Sequence, residues 1–178
     1  GNKLWIGTFE HGLDILDIKT KKVIKHYSAG KGNKLRTNFI VSFYKTSKGE
    51  ILVATISGLY LYDSKNDDFE LVANIPVVFY ELMTEDANGN IWAGTFNDGV
   101  IRFRLDRNDI KQYKNNPKDS KSLSHNTVNG ILQDSKRNIW ISTDGGGLNL
   151  FNTKENNFTH ITTKDGLPSN FLFRIIED

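Results

Sequence analysis

The chain has 178 residues and sets 23 lysines and arginines against 21 aspartates and glutamates, a net charge of +2. So small a surplus gives no electrostatic reason to expect nucleic acid. Cysteine is absent, which excludes disulfides, thiolate catalysis and cysteine-ligated metals. A sequence with 38% hydrophobic and 25% charged residues is globular, and the length suits one domain or a piece of a larger one. No apolar run approaches the ~20 residues of a membrane helix, so this segment is expected to make no membrane contact. Gly1-Asn2-Lys3-Leu4-Trp5 is neither a signal peptide nor a methionine start, which suggests a segment of a longer protein.

Taken in chain order, the sequence predicts short strands joined by turns. Lys3 to Thr8 and Gly12 to Asp17 come first, then Val23 to Tyr27 and Phe39 to Thr46. The same four-part order returns three times. A tryptophan-type segment ends in Thr at Thr55, Thr95 and Thr143, and a Gly-apolar pair follows at Gly58-Leu59, Gly99-Val100 and Gly147-Leu148. A third segment covers Phe69 to Val72, Ile110 to Tyr113 and Phe158 to Ile161. A fourth covers Val77 to Asp86, Thr127 to Asp134 and Phe171 to Asp178. Turn-formers separate these runs, and apolar residues alternate within them, as in Gly58-Leu-Tyr-Leu-Tyr-Asp63. This is the pattern of antiparallel meanders.

The anchors Trp5, Leu52, Trp92 and Trp140 recur at intervals of 47, 40 and 48 residues. Four strands per unit of about 45 residues predict an all-β fold of β-propeller blades. The chain is expected to form a single segment, 1–178, with three whole blades and a fourth split between the termini. It could be an arc of a larger propeller or a small closed ring. In an arc, the first and last strands are open edges that other blades of the parent chain, or a second copy, could pair with.

The repeat resembles the two-component regulator propeller repeat. The fullest match is Leu123-Ser-His-Asn126-Thr-Val128, Gln133-Asp134, Asn138-Ile-Trp140-Ile-Ser-Thr143 and Gly146-Gly-Leu148 through Asn152. The second unit departs most, with Leu52 for Trp, Ala54 for Gly and Asn74-Ile-Pro76 for the long lead-in. The resemblance implies the extracytoplasmic, periplasmic sensor region of a bacterial hybrid two-component regulator, often a detector of oligosaccharides. It implies a non-enzymatic role, with any kinase activity outside this chain.

In such a meander, the turn after the second strand and the link into the next blade share one face. Those loops are 9–11, 56–57, 96–98 and 144–146, with links 28–37, 74–76, 114–126 and 162–169. Long loops on a rigid scaffold tend to carry function. The ligand-binding candidates are therefore Glu10, His11, Arg36, Asn97, Asp98, His125 and Asp144, facing an oligosaccharide or other small polar ligand. The fixed place of Trp5, Trp92 and Trp140 in the repeat assigns them to packing between blades rather than to sugar stacking. No pair among His11, His26, His125 and His160 has the i, i+4 spacing of a helical zinc site, and no metal or cofactor is expected. Gly145-Gly146-Gly147 fits a hairpin turn rather than a phosphate cradle, because no Gly-Lys-Ser/Thr follows. The repeated Asp17, Asp63, Asp106 and Asp86, Asp134, Asp178 fall at strand ends, where Asp suits turn hydrogen bonds. The readings left are a ligand sensor, a protein-interaction or dimerisation scaffold, and a propeller lyase or hydrolase, for which no catalytic cluster is visible.

Overall fold

The computed structural model describes residues 2–178. The chain divides into two compact units, up to Tyr80 and from Glu81 onward. In the first unit, β1 (Lys3–Gly7), β2 (Leu13–Asp17) and β3 (Lys22–Tyr27) form a three-stranded sheet. A four-stranded sheet follows in chain order: β4 (Ile40–Lys45), β5 (Ile51–Thr55), β6 (Gly58–Asp63) and β7 (Asp68–Leu71). The third sheet is β8 (Tyr80–Glu85), β9 (Ile91–Thr95), β10 (Val100–Phe103) and β11 (Ile110–Tyr113). The fourth is β12 (Val128–Gln133), β13 (Ile139–Thr143), β14 (Gly147–Asn152) and β15 (Asn157–Ile161). Every pairing is antiparallel between neighbours in sequence, so each sheet is an up-and-down meander, as the repeat predicts.

The tryptophan of the repeat joins one sheet to the next. In the second unit Trp92 is buried, lies parallel to Tyr113 at 5.9 Å and meets Phe151 of the neighbouring sheet edge-on at 4.9 Å. In the first, Trp5 meets Tyr62 of the neighbouring sheet at 4.8 Å. Each unit thus has its own core: Leu13, Ile15, Tyr27, Val53, Tyr60 and Phe69 in one, Val100, Val128, Ile139, Ile141 and Phe158 around Trp92 in the other. Large aromatic areas buried at sheet-to-sheet contacts add to the hydrophobic stabilisation.

The strand-end aspartates do more than shape turns. Asp86 accepts from Asn88 N and Asn90 N through one oxygen, and from Asn90 Nδ2 and Trp92 Nε1 (2.9 Å) through the other. Asp134 repeats the arrangement with Asn138 and with Trp140 Nε1 at 2.8 Å. One carboxylate therefore closes the hairpin and satisfies an indole that burial would otherwise leave unpaired.

Two predicted strands differ from the structure. The second link runs from Val72 to Phe79 rather than over 74–76, because Asn74 takes φ 64° and Pro76 cannot donate to a ladder. Tyr80 Oη donates to Pro76 O and fixes this link. Residues 171–178 form a single bridge, Phe171 to Asp144, and no ladder. They lie instead along the β12–β13 hairpin: Leu172 N donates to Thr143 O, Ser142 Oγ to Phe173 O, and Ser135 N to Glu177. Pairing, not sequence pattern, makes a strand.

Candidate functional site

The Thr, Gly and Asn of the repeat build the loop face. Each repeat Thr donates its hydroxyl across the turn, as Thr8 to Gly12 O (2.8 Å), Thr95 to Gly99 O (2.8 Å) and Thr143 to Gly147 O (3.0 Å). The amide of each of those glycines donates to the Asn that leads into the next repeat: Gly12 to Asn38 O, Gly99 to Asn126 O and Gly147 to Asn170 O. The side chain of the same Asn then accepts from the far end of its link, at Ala29 N, Asn115 N and Thr163 N (2.7, 2.7 and 2.8 Å). Glycine is required here. At Gly12 and Gly99, both with positive φ, a Cβ would strike the carbonyls of Tyr27 and Tyr113. Loops so pinned present their outward side chains from fixed positions, which is what a preformed recognition surface needs.

In the first unit, loop 9–11 lies beside the end of the first link. Phe9, 66% exposed, packs on Phe39 at 4.2 Å, and Phe39 meets Phe79 edge-on at 6.1 Å. The exposed side chains of Ile56 and Val77 belong to the equivalent loops of the next repeat. Glu10, His11 and Arg36 stand exposed near this aromatic row, and their side chains make no hydrogen bond or ion pair among the described residues. In the second unit, Thr127 Oγ1 donates to Phe96 O, Asp144 N donates to Thr127 O, and Asp144 bridges to Phe171. This brings the segments that carry Asn97, His125 and Asp144 side by side, with exposed Phe96 and Phe171 at the ends. Asn97 and Asp144 leave their side chains unengaged among the described residues. His125 accepts Thr127 N at Nδ1 (3.1 Å). Asp98 differs from the rest, since its carboxylate is held by Lys114 at 2.8 Å.

The residues missing from the sequence reading are the phenylalanines. The signal was present: Phe follows the repeat Thr at 9 and 96, and precedes the first strand at 39, 79 and 171, where no core residue is needed. Among the described residues, no group of three or more His, Asp or Glu side chains could hold a metal ion. Among the same residues, no helix is long and apolar enough to cross a membrane.

Comparison with known proteins agrees with this architecture. Residues 122–145 match the family model for the two-component regulator propeller. The chain is 32% identical over 97 residues, 52% of its length, to histidine kinase P4 of Formosa agariphila, and spans 7% of that protein. Its fold is that of the extracellular domain of the hybrid two-component system BT4673 of B. thetaiotaomicron (TM-score 0.79, 23% identity, 100% of this chain and 24% of that one). The corresponding domain of BT3049 from the same organism matches at TM-score 0.78 and 26% identity, over 98% of this chain and 23% of that one. The chain is thus built of propeller blades and spans about a quarter of the solved chains that it matches.

Proposed function

We propose that this chain, which carries a two-component regulator propeller repeat at residues 122–145, is a ligand-sensing extracytoplasmic segment of a two-component signalling receptor. Its ligand is an oligosaccharide or a similar polar molecule with apolar faces, held at the loop face. The observation that carries this reading is the row Phe9–Phe39–Phe79, exposed at Phe9 and half-buried at the other two, set on hydrogen-bonded loops and flanked by the unengaged Glu10, His11 and Arg36. Exposed aromatic surface is costly unless it serves a contact. Flat rings beside free donors and acceptors suit a molecule that alternates apolar C–H faces with hydroxyls. The segment is non-catalytic in this reading, and a kinase would lie outside this chain.

Thermal unfolding against a panel of defined oligosaccharides tests the reading. A ligand at 100 times its Kd stabilises by ~2.7 kcal/mol, a rise on the order of 5–10 °C for a domain of this size. Such a rise with one sugar, abolished by Phe39→Ala and reduced by Arg36→Ala, is the expected result. A response unchanged in both variants would refute the placement, and a flat panel would refute the ligand class.

A further inference from the structure

We propose that the groove between β11 and the β14–β15 hairpin, within the second unit, is a binding site for a small hydroxy-carboxylate such as a single sugar acid. It uses no residue of the aromatic row.

The first unit shows what this groove holds when the chain fills it. Tyr27 Oη and Tyr62 Oη donate to the carboxylate of Asp67, and Lys25, which lies over the Tyr27 ring at 5.3 Å, pairs with the same group. Lys34 N donates to Asp68 Oδ1 at 2.8 Å, and Lys34 Nζ reaches Glu70 at 3.3 Å. Each lysine of that groove therefore meets a carboxylate.

The second unit keeps the lysine and the tyrosine but loses the acids. Lys111 lies over the Tyr113 ring at 5.5 Å, and Tyr113 Oη donates to Asn156 Oδ1 at 2.8 Å, the counterpart of the Tyr27–Asp67 bond. Asn156 and Asp67 share one left-handed conformation, with φ 54° and 58°. Yet the hairpin reads Asn156-Asn157-Phe158-Thr159 where the first unit has Asp67-Asp68-Phe69-Glu70, so an uncharged side chain replaces every acid. Lys111, and Lys121 of the link above the hairpin, are left without an ion pair among the described residues. Arg102 adds a further cation directly opposite Lys111, where the first unit sets Ile15 opposite Lys25. Like charges opposed across a strand pair are destabilising. Asp109 answers one guanidinium nitrogen of Arg102 at 3.1 Å, but its buried Nε has no partner among the described residues. The charge pattern lacks one carboxylate.

A hollow of about 230 Å³ lies at this place. It is smaller than the pockets of about 300–1,000 Å³ that hold drug-sized molecules, so it suits a single small one. Tyr113, Asn156 and Asn157 form one wall, and Asn116, Asp119 and Lys121 of the link form the other. Because Tyr113 occupies Asn156 Oδ1, the free donors are Asn156 Nδ2, the Asn157 amide and Lys121 Nζ. A ligand carboxylate accepts from all three kinds of group, and the charge strengthens those bonds. Free acceptors stand nearby: Gln112 spends Nε2 on Asp98 O and keeps Oε1, and Asp119 accepts Lys121 N through Oδ1 and keeps Oδ2. These suit hydroxyl donors. A neutral ligand leaves the lysines unanswered, and a second negative charge meets Asp119, so one carboxylate among hydroxyls is the favoured chemistry.

The walls are held in place without a ligand. Asn116 N donates to Ser122 Oγ, Phe158 N donates to Lys121 O, and His160 Nε2 meets Ser122 O at 2.7 Å. A site fixed in this way spends little of its binding energy on ordering.

The test is a nuclear magnetic resonance titration of the 178-residue chain with glucuronate, and with glucose as the uncharged control. Glucuronate should bind with a Kd on the order of millimolar and shift the side-chain amides of Asn156 and Asn157. Glucose should bind at least tenfold more weakly. Asn156→Asp returns the carboxylate of the first unit to a backbone that already accepts it, and should weaken glucuronate binding tenfold or more by filling the site from within. Lys121→Gln, at an exposed position that cannot unfold the chain, should weaken it several-fold and reduce its dependence on salt. Phe39→Ala should leave it unchanged. No shift with glucuronate, equal binding of glucose, or full affinity in both Asn156→Asp and Lys121→Gln would overturn the proposal. Binding lost in Phe39→Ala would also overturn it, by moving the acid to the loop face. A failure of the loop-face reading, by contrast, leaves these outcomes as they stand.

Discussion

The loop ends of the first unit and those of the second share one set of hydrogen bonds but not one outward surface. Thr8, Gly12 and Asn38 repeat in Thr95, Gly99 and Asn126, and again in Thr143, Gly147 and Asn170, with near-identical distances. What they hold up differs. The first unit presents Phe9, Phe39 and Phe79 in contact, whereas the second places Thr127 and Asp144 between Phe96 and Phe171. Scaffold and outward surface are therefore separable in this fold. The repeat fixes where a side chain stands, and the residues between repeat positions decide what it offers.

The separation can be broken most severely at the glycines. Gly12→Ala and Gly147→Ala should each cost about 2–4 kcal/mol in denaturant unfolding, because each adds positive-φ strain to a collision with a backbone carbonyl. Gly30→Ala, also at positive φ but with open space around its Cβ, should cost nearer ~1 kcal/mol. Equal costs at all three would mean that the loops are not pinned as described. Next in size, Asn38→Ala and Asn126→Ala should each lose about 1–2 kcal/mol, measured in the same way, since each strands a link amide.

Substitutions of the outward residues should show the opposite behaviour. Phe9→Ala and Asp144→Ala should leave stability within about 0.5 kcal/mol. Titration of a bound oligosaccharide should nevertheless separate them, with the larger loss of affinity at Phe9. Comparable losses in both would merge the two surfaces into one reading site.

The smallest effect is an acid one. Hydrogen bonds from the backbone and side chain of Thr20 hold the Asp17 carboxyl below its ordinary range, and those from Lys65 N and Asn66 do so for Asp63. At Asp134 desolvation pushes upward, but the bonds from Trp140, Asn138 and the backbone outweigh it and the net shift is downward. A lowered folded-state value stabilises the fold above the unfolded carboxylate range, and that stability is lost as pH falls through the folded value. Unfolding midpoints should therefore decline as pH drops below about 4. Asp134→Asn should flatten part of that decline, and an unchanged profile in this variant would remove Asp134 from the account.

Much of this fold is legible in the sequence because a repeat states each rule several times. The period, the four strands per unit, the glycine turns and the strand-end aspartates all follow from residues that recur at one phase. The tryptophans read as packing residues for the same reason, and Trp92 is buried accordingly. What the pattern could not state is whether a strand finds its partner. Residues 171–178 carry the same alternation as β12 but form no ladder, because hydrogen bonding belongs to pairs of segments. The loop face was readable as a place, through meander geometry, but not as a surface. Phe9 and Phe39 meet because the bonds from Gly12 N to Asn38 O and from Ile40 N to Thr8 O draw together two segments that are distant in sequence. Asp98 shows the converse: it is polar and on a loop, yet Lys114 from the adjoining link occupies its carboxylate.

The most direct measurement is calorimetric titration of the best-stabilising oligosaccharide into the wild-type chain and into Phe39→Ala, which removes the ring central to the aromatic row. Clear binding to the first and a loss of tenfold or more in the second, with stability otherwise intact, is the expected result, a difference of about 1.4 kcal/mol. Equal affinity in the two proteins would contradict the placement of the reading surface on these loops.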